Sequence, residues 1–388
     1  MKVKIFNTIA ESGLQKLKQA EIEYAADFDD YDAILVRSAK LHDIPFSKSL
    51  KCIARAGAGV NNIPIKDCSE RGIVVFNTPG ANANAVKELV MAALFLSSRR
   101  IYQGIEWVKG LDAVDISKEI ETKKSRFAGQ EIADKKLGVI GLGAIGVQVA
   151  NAAASMGMEV YGYDPFISVK AAWGLKARVH HAQSLREIFE NCDYISIHVP
   201  FNEKTVHIID EDAIDLMKRG VRLFNFARGE LVDTQAVRQA LEDGKVACYV
   251  TDFPNKELLQ CDEAICLPHL GASTKESEEN CAIMAAEEIM EYLMYGNIIN
   301  SVNFPDMKLS QETKYRICVI NKNIPNMVSS MTAALAEAGI NIENMANKAK
   351  DTYAYTILET NDEVNEDLLE RLRSRDGIIQ VRLITMID

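Results

Sequence analysis

The chain has 388 residues, 48% hydrophobic and 26% charged, so a folded protein of two or three domains is expected and disordered or collagen-like classes are excluded. Its 44 Lys+Arg against 55 Asp+Glu give a formal charge of −11, which offers no overall attraction to nucleic acid or to an anionic membrane. Eight cysteines without a C-x-x-C pair, no apolar run near the roughly 18 residues of a membrane span, and a start directly on Lys2-Val3-Lys4-Ile5-Phe6 point to a soluble cytoplasmic protein with reduced thiols and no metal site.

Apolar runs at residues 3–6, 33–36, 52–54 and 73–76 alternate with helical or turn-rich stretches, the pattern of a parallel sheet with crossover helices. A helix is expected over 85–101, where Val86, Leu89, Val90, Ala93, Leu94 and Ser97 lie near helical spacing. From Lys136 the alternation restarts. Strands are expected at 137–141, 159–164, 193–198, 222–226, 247–251 and 265–267, with helices at 145–156, 185–191, 212–219 and 234–243. That order describes a second doubly wound sheet. A helix over 276–294 and a linker at 303–310 follow. The remainder reads strand 315–320, helix 326–337, strands 341–347 and 353–359, helix 363–374 and strand 379–386, the ferredoxin-like βαββαβ order.

The run Gly141-Leu142-Gly143-Ala144-Ile145-Gly146 fits G-x-G-x-x-G between a buried strand and a helix start. Gly141 permits a tight turn, Gly143 lets the backbone approach a pyrophosphate, and Gly146 lets the helix pack on the strand. The free N–H groups of the helix start then face the phosphates. Asp164 ends the next strand 18 residues after Gly146, where a carboxylate can accept from ribose hydroxyls. Pro165-Phe166-Ile167 follow without an arginine for a 2′-phosphate, which favours NAD over NADP.

A second constellation joins Asn225-Phe226-Ala227-Arg228-Gly229, Asp252, Glu257 and Pro268-His269-Leu270-Gly271. Oxidising a 2-hydroxy acid needs a cation for the carboxylate, a proton acceptor for the hydroxyl, and an acid to orient that acceptor. Arginine, histidine and a carboxylate suit these tasks. Arg228 and His269 both follow strands of the cofactor sheet, where ligands of open sheets bind. In the loop 55–62 the glycines free N–H groups that could cradle a carboxylate.

Taken together, residues 55–62, Asn77-Thr78-Pro79-Gly80, the glycine loop with Asp164, residues 224–233 and residues 268–274 resemble the D-isomer-specific 2-hydroxyacid dehydrogenase family. Residues 315–388 resemble an ACT domain. The resemblance implies an α/β protein with a discontinuous substrate-binding domain, 1–98 with 283–308, an inserted Rossmann domain, 99–282, and a regulatory ACT domain, 313–388. It implies Arg228, Glu257 and His269 as the catalytic set. It places His198, Val199 and Pro200 on the adenosine side of NAD, Asp252 against the nicotinamide amide, and Ala227, Arg228, His269 and Gly271 beside the cofactor. For the substrate it implies Arg55, Ala56, Gly57, Ala58, Gly59 and Asn77, with Arg228 and His269, and gives Arg55 the phosphate. The implied reaction is NAD-dependent oxidation of 3-phospho-D-glycerate to 3-phosphooxypyruvate, the first step of L-serine biosynthesis, by a homodimer or homotetramer. Asn321, Asn323 and Asn341 map onto a site for L-serine or another amino acid.

The chain departs from the family pattern in two places. Asp252-Phe253-Pro254-Asn255-Lys256-Glu257-Leu258 stands where Asp-Val-Phe-x-x-Glu-Pro is usual, and the stretch from Glu257 to His269 is short, so Asp262 and Glu263 remain alternatives for the acid. Asn326 replaces the usual ACT glycine after Pro325, and Asn321 stands where a histidine is frequent. Two other functions stay open: a dehydrogenase for hydroxypyruvate, glyoxylate or 4-phosphoerythronate, and a non-catalytic NAD sensor. A sensor has no need of a proton acceptor.

Overall fold

Apolar runs such as Ala33–Val36, buried at every position, make strands that need cover on both faces. The computed structural model describes residues 1–112 and 114–386 and meets that need twice. Residue 113 of the expected cofactor domain and residues 387 and 388 of the expected ACT domain lie outside the described residues. Two compact units result, Met1–Asn82 with Lys275–Asp388, and Ala83–Thr274.

The first unit holds a parallel five-stranded sheet in the order Glu23–Ala25, Lys2–Phe6, Ala33–Val36, Cys52–Arg55, Val74–Asn77. The helix Lys275–Tyr295 buries Ala282, Ala285, Ala286 and Ile289 in the same cluster as Val3, Leu35 and Phe76. It also holds an antiparallel four-stranded sheet in the order Asn344–Lys350, Tyr353–Thr360, Tyr315–Lys322, Ile378–Thr385. The helices Met327–Glu337 and Glu366–Arg373 complete the βαββαβ order.

Strand alternation decides how this smaller sheet is covered. Ile317, Val319 and Val381 pack with Met331, Leu335 and Leu372 of the two helices. Cys318, Ile320 and Ile384 belong to the other face and share one core cluster with Phe76, Tyr292 and Phe304. Arg316 is wholly buried along this seam and donates to Glu359 Oε1 at 2.6 and 2.9 Å, to the Tyr295 carbonyl at 2.5 Å and to the Leu309 carbonyl at 2.9 Å. The Arg382 guanidinium lies 4.5 Å from the centre of the Tyr292 ring and donates to the Leu293 carbonyl at 3.0 Å. The expected linker at 303–310 is therefore pinned: Phe304 is fully buried, and Lys348 donates to the Asp306 carbonyl at 3.0 Å.

The second unit is a parallel seven-stranded sheet in the order Ala264–Cys266, Val246–Thr251, Val221–Asn225, Tyr194–Ile197, Lys136–Ile140, Glu159–Tyr163, Val179–His181. Its order reverses at Lys136–Ile140, whose neighbours on either side are Tyr194–Ile197 and Glu159–Tyr163. Ligands of open α/β sheets bind at such a switch point.

The two units exchange the chain at 82/83 and 274/275, where the family resemblance implies about 98/99 and 282/283. The reason lies in burial. Helix Ala83–Arg99 packs Val86, Val90, Ala93 and Leu94 into a core cluster of the seven-stranded sheet. The helix expected over 85–101 breaks at Arg100, φ +44°, before a separate helix, Ile101–Lys109. The strand expected from 341 begins at Asn344, because the Asn341 amide is held by the Asp362 carboxylate at 2.7 Å. No helix among the described residues is long and apolar enough to cross a membrane.

Candidate active site

The glycine loop lies at the switch point. Gly141 has φ +93°, and the loop feeds helix Ala144–Ser155, whose N-cap is Gly143. The first intrahelical acceptor is the Gly143 carbonyl, bonded by the Val147 amide at 3.1 Å, so the amides of Ala144, Ile145 and Gly146 precede the helical ladder. Asp164 accepts from the Leu142 amide and the Phe166 amide, each at 2.9 Å, which ties the acid to the loop. His198 follows strand Tyr194–Ile197, with Nε2 2.8 Å from Ser196 Oγ, and burial pushes its imidazole down to about 4. It is therefore neutral near pH 7. Val199 and Pro200 continue that turn.

The loop fits NAD on steric grounds. A Cβ on Gly143 meets nothing within 4 Å, whereas one on Gly146 would fall 1.9 Å from the Gly141 carbonyl oxygen. Gly143 is thus not required by the fold and leaves room for a pyrophosphate; Gly146 is required by the helix–strand contact. Gly143→Ala is expected to unfold with the wild type in a urea titration yet to bind NADH about tenfold or more weakly by fluorescence titration. Gly146→Ala is expected to lose about 1–3 kcal/mol of stability in the same titration, because the loop must shift. Equal NADH affinity for Gly143→Ala and the wild type would refute the assignment.

Three neighbouring strands deliver the second constellation at their carboxyl ends. Arg228 follows Val221–Asn225, Asp252 follows Val246–Thr251, and His269 follows Ala264–Cys266. Asn225 folds the first turn: its Nδ2 donates to the Arg228 carbonyl at 2.8 Å and its Oδ1 accepts from Ala227 N at 3.1 Å. The Arg228 guanidinium is exposed and donates one bond, to the Ala227 carbonyl at 2.6 Å. His269 is also exposed, has φ +54°, and stands edge-on to Phe253 with ring centres 4.9 Å apart. Asp252 is 2% exposed and accepts from Leu270 N at 2.6 Å and Gly271 N at 2.7 Å. Glu257 precedes the short turn Leu258–Gln260 and accepts from Gln235 Nε2 at 2.7 Å. Among the described residues no hydrogen bond joins Glu257 to His269. Asp262 is exposed, and Glu263 pairs with Arg100 at 3.3 Å. The unit thus brings Arg228, Asp252 and His269 to adjacent strand ends, while Glu257 is turned to the helix Thr234–Glu242.

In the first unit, Arg55 ends its strand and donates from Nε to the Arg37 carbonyl at 3.1 Å. The Ala56 amide bonds the Val36 carbonyl at 2.8 Å. The Gly57 carbonyl accepts from Thr78 N at 3.2 Å, and the Ala58 carbonyl from Asn77 Nδ2 at 2.6 Å, so Asn77 steadies the loop that leads to Gly59. Arg55 lines a pocket of about 500 Å³ with Ser38, Lys40, His42, Asp43, Asn61 and Asn62. Lys40 and His42 escape a motif search, since they carry no spacing signature. Their one signal is position, just beyond the carboxyl end of strand Ala33–Val36. Among the described residues Lys40 has no ion-pair partner.

In the smaller sheet, Asn321 is 1% exposed with Oδ1 lacking a hydrogen-bond partner among the described residues. Asn323 donates to the Asp351 carbonyl at 3.1 Å, and Asn341 donates to Glu343 at 3.0 Å. Asn321 and Asn323 precede helix Met327–Glu337 and Asn341 follows it, so the three do not converge within one chain.

Comparison with known proteins agrees with this architecture. Residues 91–271 match the model for the D-isomer specific 2-hydroxyacid dehydrogenase NAD binding domain. The D-3-phosphoglycerate dehydrogenase of Haemophilus influenzae is 34% identical over 341 residues, 84% of this chain and 79% of that protein. That of Methanocaldococcus jannaschii is 36% identical over 300 residues, 74% of this chain but only 55% of that longer protein. The crystal structure of NAD⁺-bound 3-phosphoglycerate dehydrogenase from Entamoeba histolytica superposes with a TM-score of 0.62 at 28% identity, covering 78% of this chain and 98% of that one. With its glycine loop tied to Asp164 and its strand-end arginine and histidine, the chain belongs to the D-isomer specific 2-hydroxyacid dehydrogenase family and carries that family's NAD-binding domain.

Proposed function

We propose that the chain oxidises 3-phospho-D-glycerate to 3-phosphooxypyruvate with NAD, the entry to L-serine synthesis. The observation that carries the choice of a phosphorylated acid is the pocket of Arg55, Lys40 and His42, where an arginine, a lysine and an imidazole line the wall with one carboxylate, Asp43. A chain of net charge −11 concentrates positive charge there, and a phosphate is the group that best repays it. Relatives named D-3-phosphoglycerate dehydrogenase support the same reading.

Bound NAD supplies the hydride acceptor. The remaining chemistry belongs to the chain. Arg228 offers a forked donor to the substrate carboxylate and to the oxygen that becomes a carbonyl. His269 takes the hydroxyl proton at a ring nitrogen. Glu257 supports the imidazolium once its carboxylate leaves Gln235. The amides of the loop 56–59 hold the carboxylate end, and Asn77 keeps that loop in place.

An amino-acid effector, with L-serine first to be tested, suits Asn321, whose buried Oδ1 has acceptor capacity to spare. Phe95, Ile101, Tyr102, Ile105 and Val108 are each at least 40% exposed along consecutive helices, the apolar surface that a homo-oligomer would cover. A soluble cytoplasmic enzyme is the setting consistent with eight free cysteines.

A coupled NADH assay compares phosphohydroxypyruvate with hydroxypyruvate and glyoxylate, with and without L-serine. The phosphorylated substrate is expected to have the highest kcat/KM. Lys40→Ala is expected to lower kcat/KM about 10-fold or more for that substrate only, the loss of one charge-assisted hydrogen bond. Equal kcat/KM for hydroxypyruvate, or an equal effect of Lys40→Ala on every substrate, contradicts the assignment.

A further inference from the structure

We propose that Asp252 is the positioning residue for His269, and that it acts through the backbone of the histidine's loop. The inference rests on reading His269 as the proton acceptor. Strands Val246–Thr251 and Ala264–Cys266 are paired in register, Thr251 opposite Cys266, so the residues that follow them emerge side by side. The Leu267 amide closes that ladder on the Thr251 carbonyl at 2.9 Å. Asp252 then takes the amides of Leu270 and Gly271, one on each carboxylate oxygen, at 2.6 and 2.7 Å. His269 is held as a crest between these two anchors.

The crest is strained. A histidine at φ +54° sits in the left-handed region, which is costlier for an L side chain than the right-handed or extended regions. Such a conformation persists only where its surroundings over-determine it. Two charge-assisted bonds to a carboxylate that is 2% exposed supply that over-determination, since bonds to an ionised acceptor are the strong ones. The ring itself is lightly restrained. Phe253 touches one edge of the imidazole, and Glu257 is bonded to Gln235. Gly271 is part of the device: a Cβ there would stand 3.1 Å from Asp252 Oδ2 and crowd the anchor.

This assignment differs from the contact with the nicotinamide amide that family resemblance implies for Asp252. The two make different demands. A cofactor contact contributes to NADH affinity; an anchor of His269 contributes to turnover. Displacing a reacting group by about 1 Å costs on the order of 10²-fold in rate.

The test uses the full chain as Asp252→Asn and, separately, Gly271→Ala, with ¹³C-labelled histidine. Only six histidines are present, so each imidazole resonance can be followed. In Asp252→Asn the carboxamide would turn its N–H₂ toward one of the two amides and break that bond. The expected result is a shift of the His269 resonance, with those of His42, His180, His181, His198 and His207 in place. A fall in kcat of about 10²-fold, with NADH Kd changed less than about threefold, is expected alongside it. Gly271→Ala is expected to move the same resonance in the same sense by less. An unmoved His269 resonance in both variants overturns the proposal whatever the activity does. A loss of NADH affinity equal to the loss of turnover assigns Asp252 to the cofactor instead. If His269→Ala keeps wild-type turnover, the proton-acceptor reading fails, while the resonance still decides whether Asp252 sets the ring.

Discussion

His269→Asn is expected to lower kcat by about 10²–10⁴-fold while NADH still binds, because proton removal by a positioned base contributes on that scale. The geometry supports the split. His269 stands beyond the carboxyl end of strand Ala264–Cys266, exposed, with its ring edge-on to Phe253. The glycine loop and Asp164, proposed for the cofactor, directly follow the strands Lys136–Ile140 and Glu159–Tyr163 of the same sheet. Removing the imidazole therefore takes away the proposed proton acceptor without touching the glycine loop or Asp164. Single-turnover kinetics with the phosphorylated substrate and a parallel NADH fluorescence titration separate the two effects. Turnover within a factor of about three of wild type would show that another group takes the proton.

Arg316→Ala is expected to cost about 3–5 kcal/mol of stability, the largest structural effect foreseen for a single substitution in the first unit. Arg316 and Glu359 are each fully buried, and the guanidinium also satisfies the carbonyls of Tyr295 and Leu309. Truncating it leaves a carboxylate in the core with Asn344 as its remaining donor, at 3.2 Å, and two carbonyls without their donor. The exposed pair Lys16–Glu287 provides the internal control, since breaking a solvated pair costs about 0–1 kcal/mol. Urea titrations of Arg316→Ala and Lys16→Ala read both, with the slope checked for constancy. The double replacement Arg316→Met, Glu359→Leu is expected to recover most of the loss, because it removes both buried charges together. A shift for Arg316→Ala no larger than that for Lys16→Ala would mean that the smaller sheet is not fastened to the first unit by this cluster.

The glycine loop was legible because its information is local. Three glycines, a strand before them and a helix after them, with an acid at the end of the following strand, leave one arrangement at a sheet switch point. Arg228 and His269 were legible for a related reason: each directly follows an apolar strand, and strand ends are where open sheets present ligands. The βαββαβ order of residues 315–385 was legible from alternation and helical spacing. Lys40 and His42 were not, since a pocket lined by two loops and a strand end has no sequence period. Glu257 was named by the family resemblance, yet it bonds Gln235, because a short turn directs its side chain toward the helix Thr234–Glu242.

The sequence by itself determined which segments become strands, which glycine loop joins strand to helix, and which residue types wait at the strand ends, because backbone conformation and burial pattern are set over a few neighbouring positions. Only the tertiary structure decided the pairings. It gave Asp252 the amides of Leu270 and Gly271, turned Glu257 to Gln235, gathered Lys40 and His42 beside Arg55, and covered the second face of the C-terminal sheet with Phe76, Tyr292 and Phe304. Those choices depend on which strand ends and faces meet in space, and residues 13 to more than 200 positions apart carry no mark of their partner until the chain has folded.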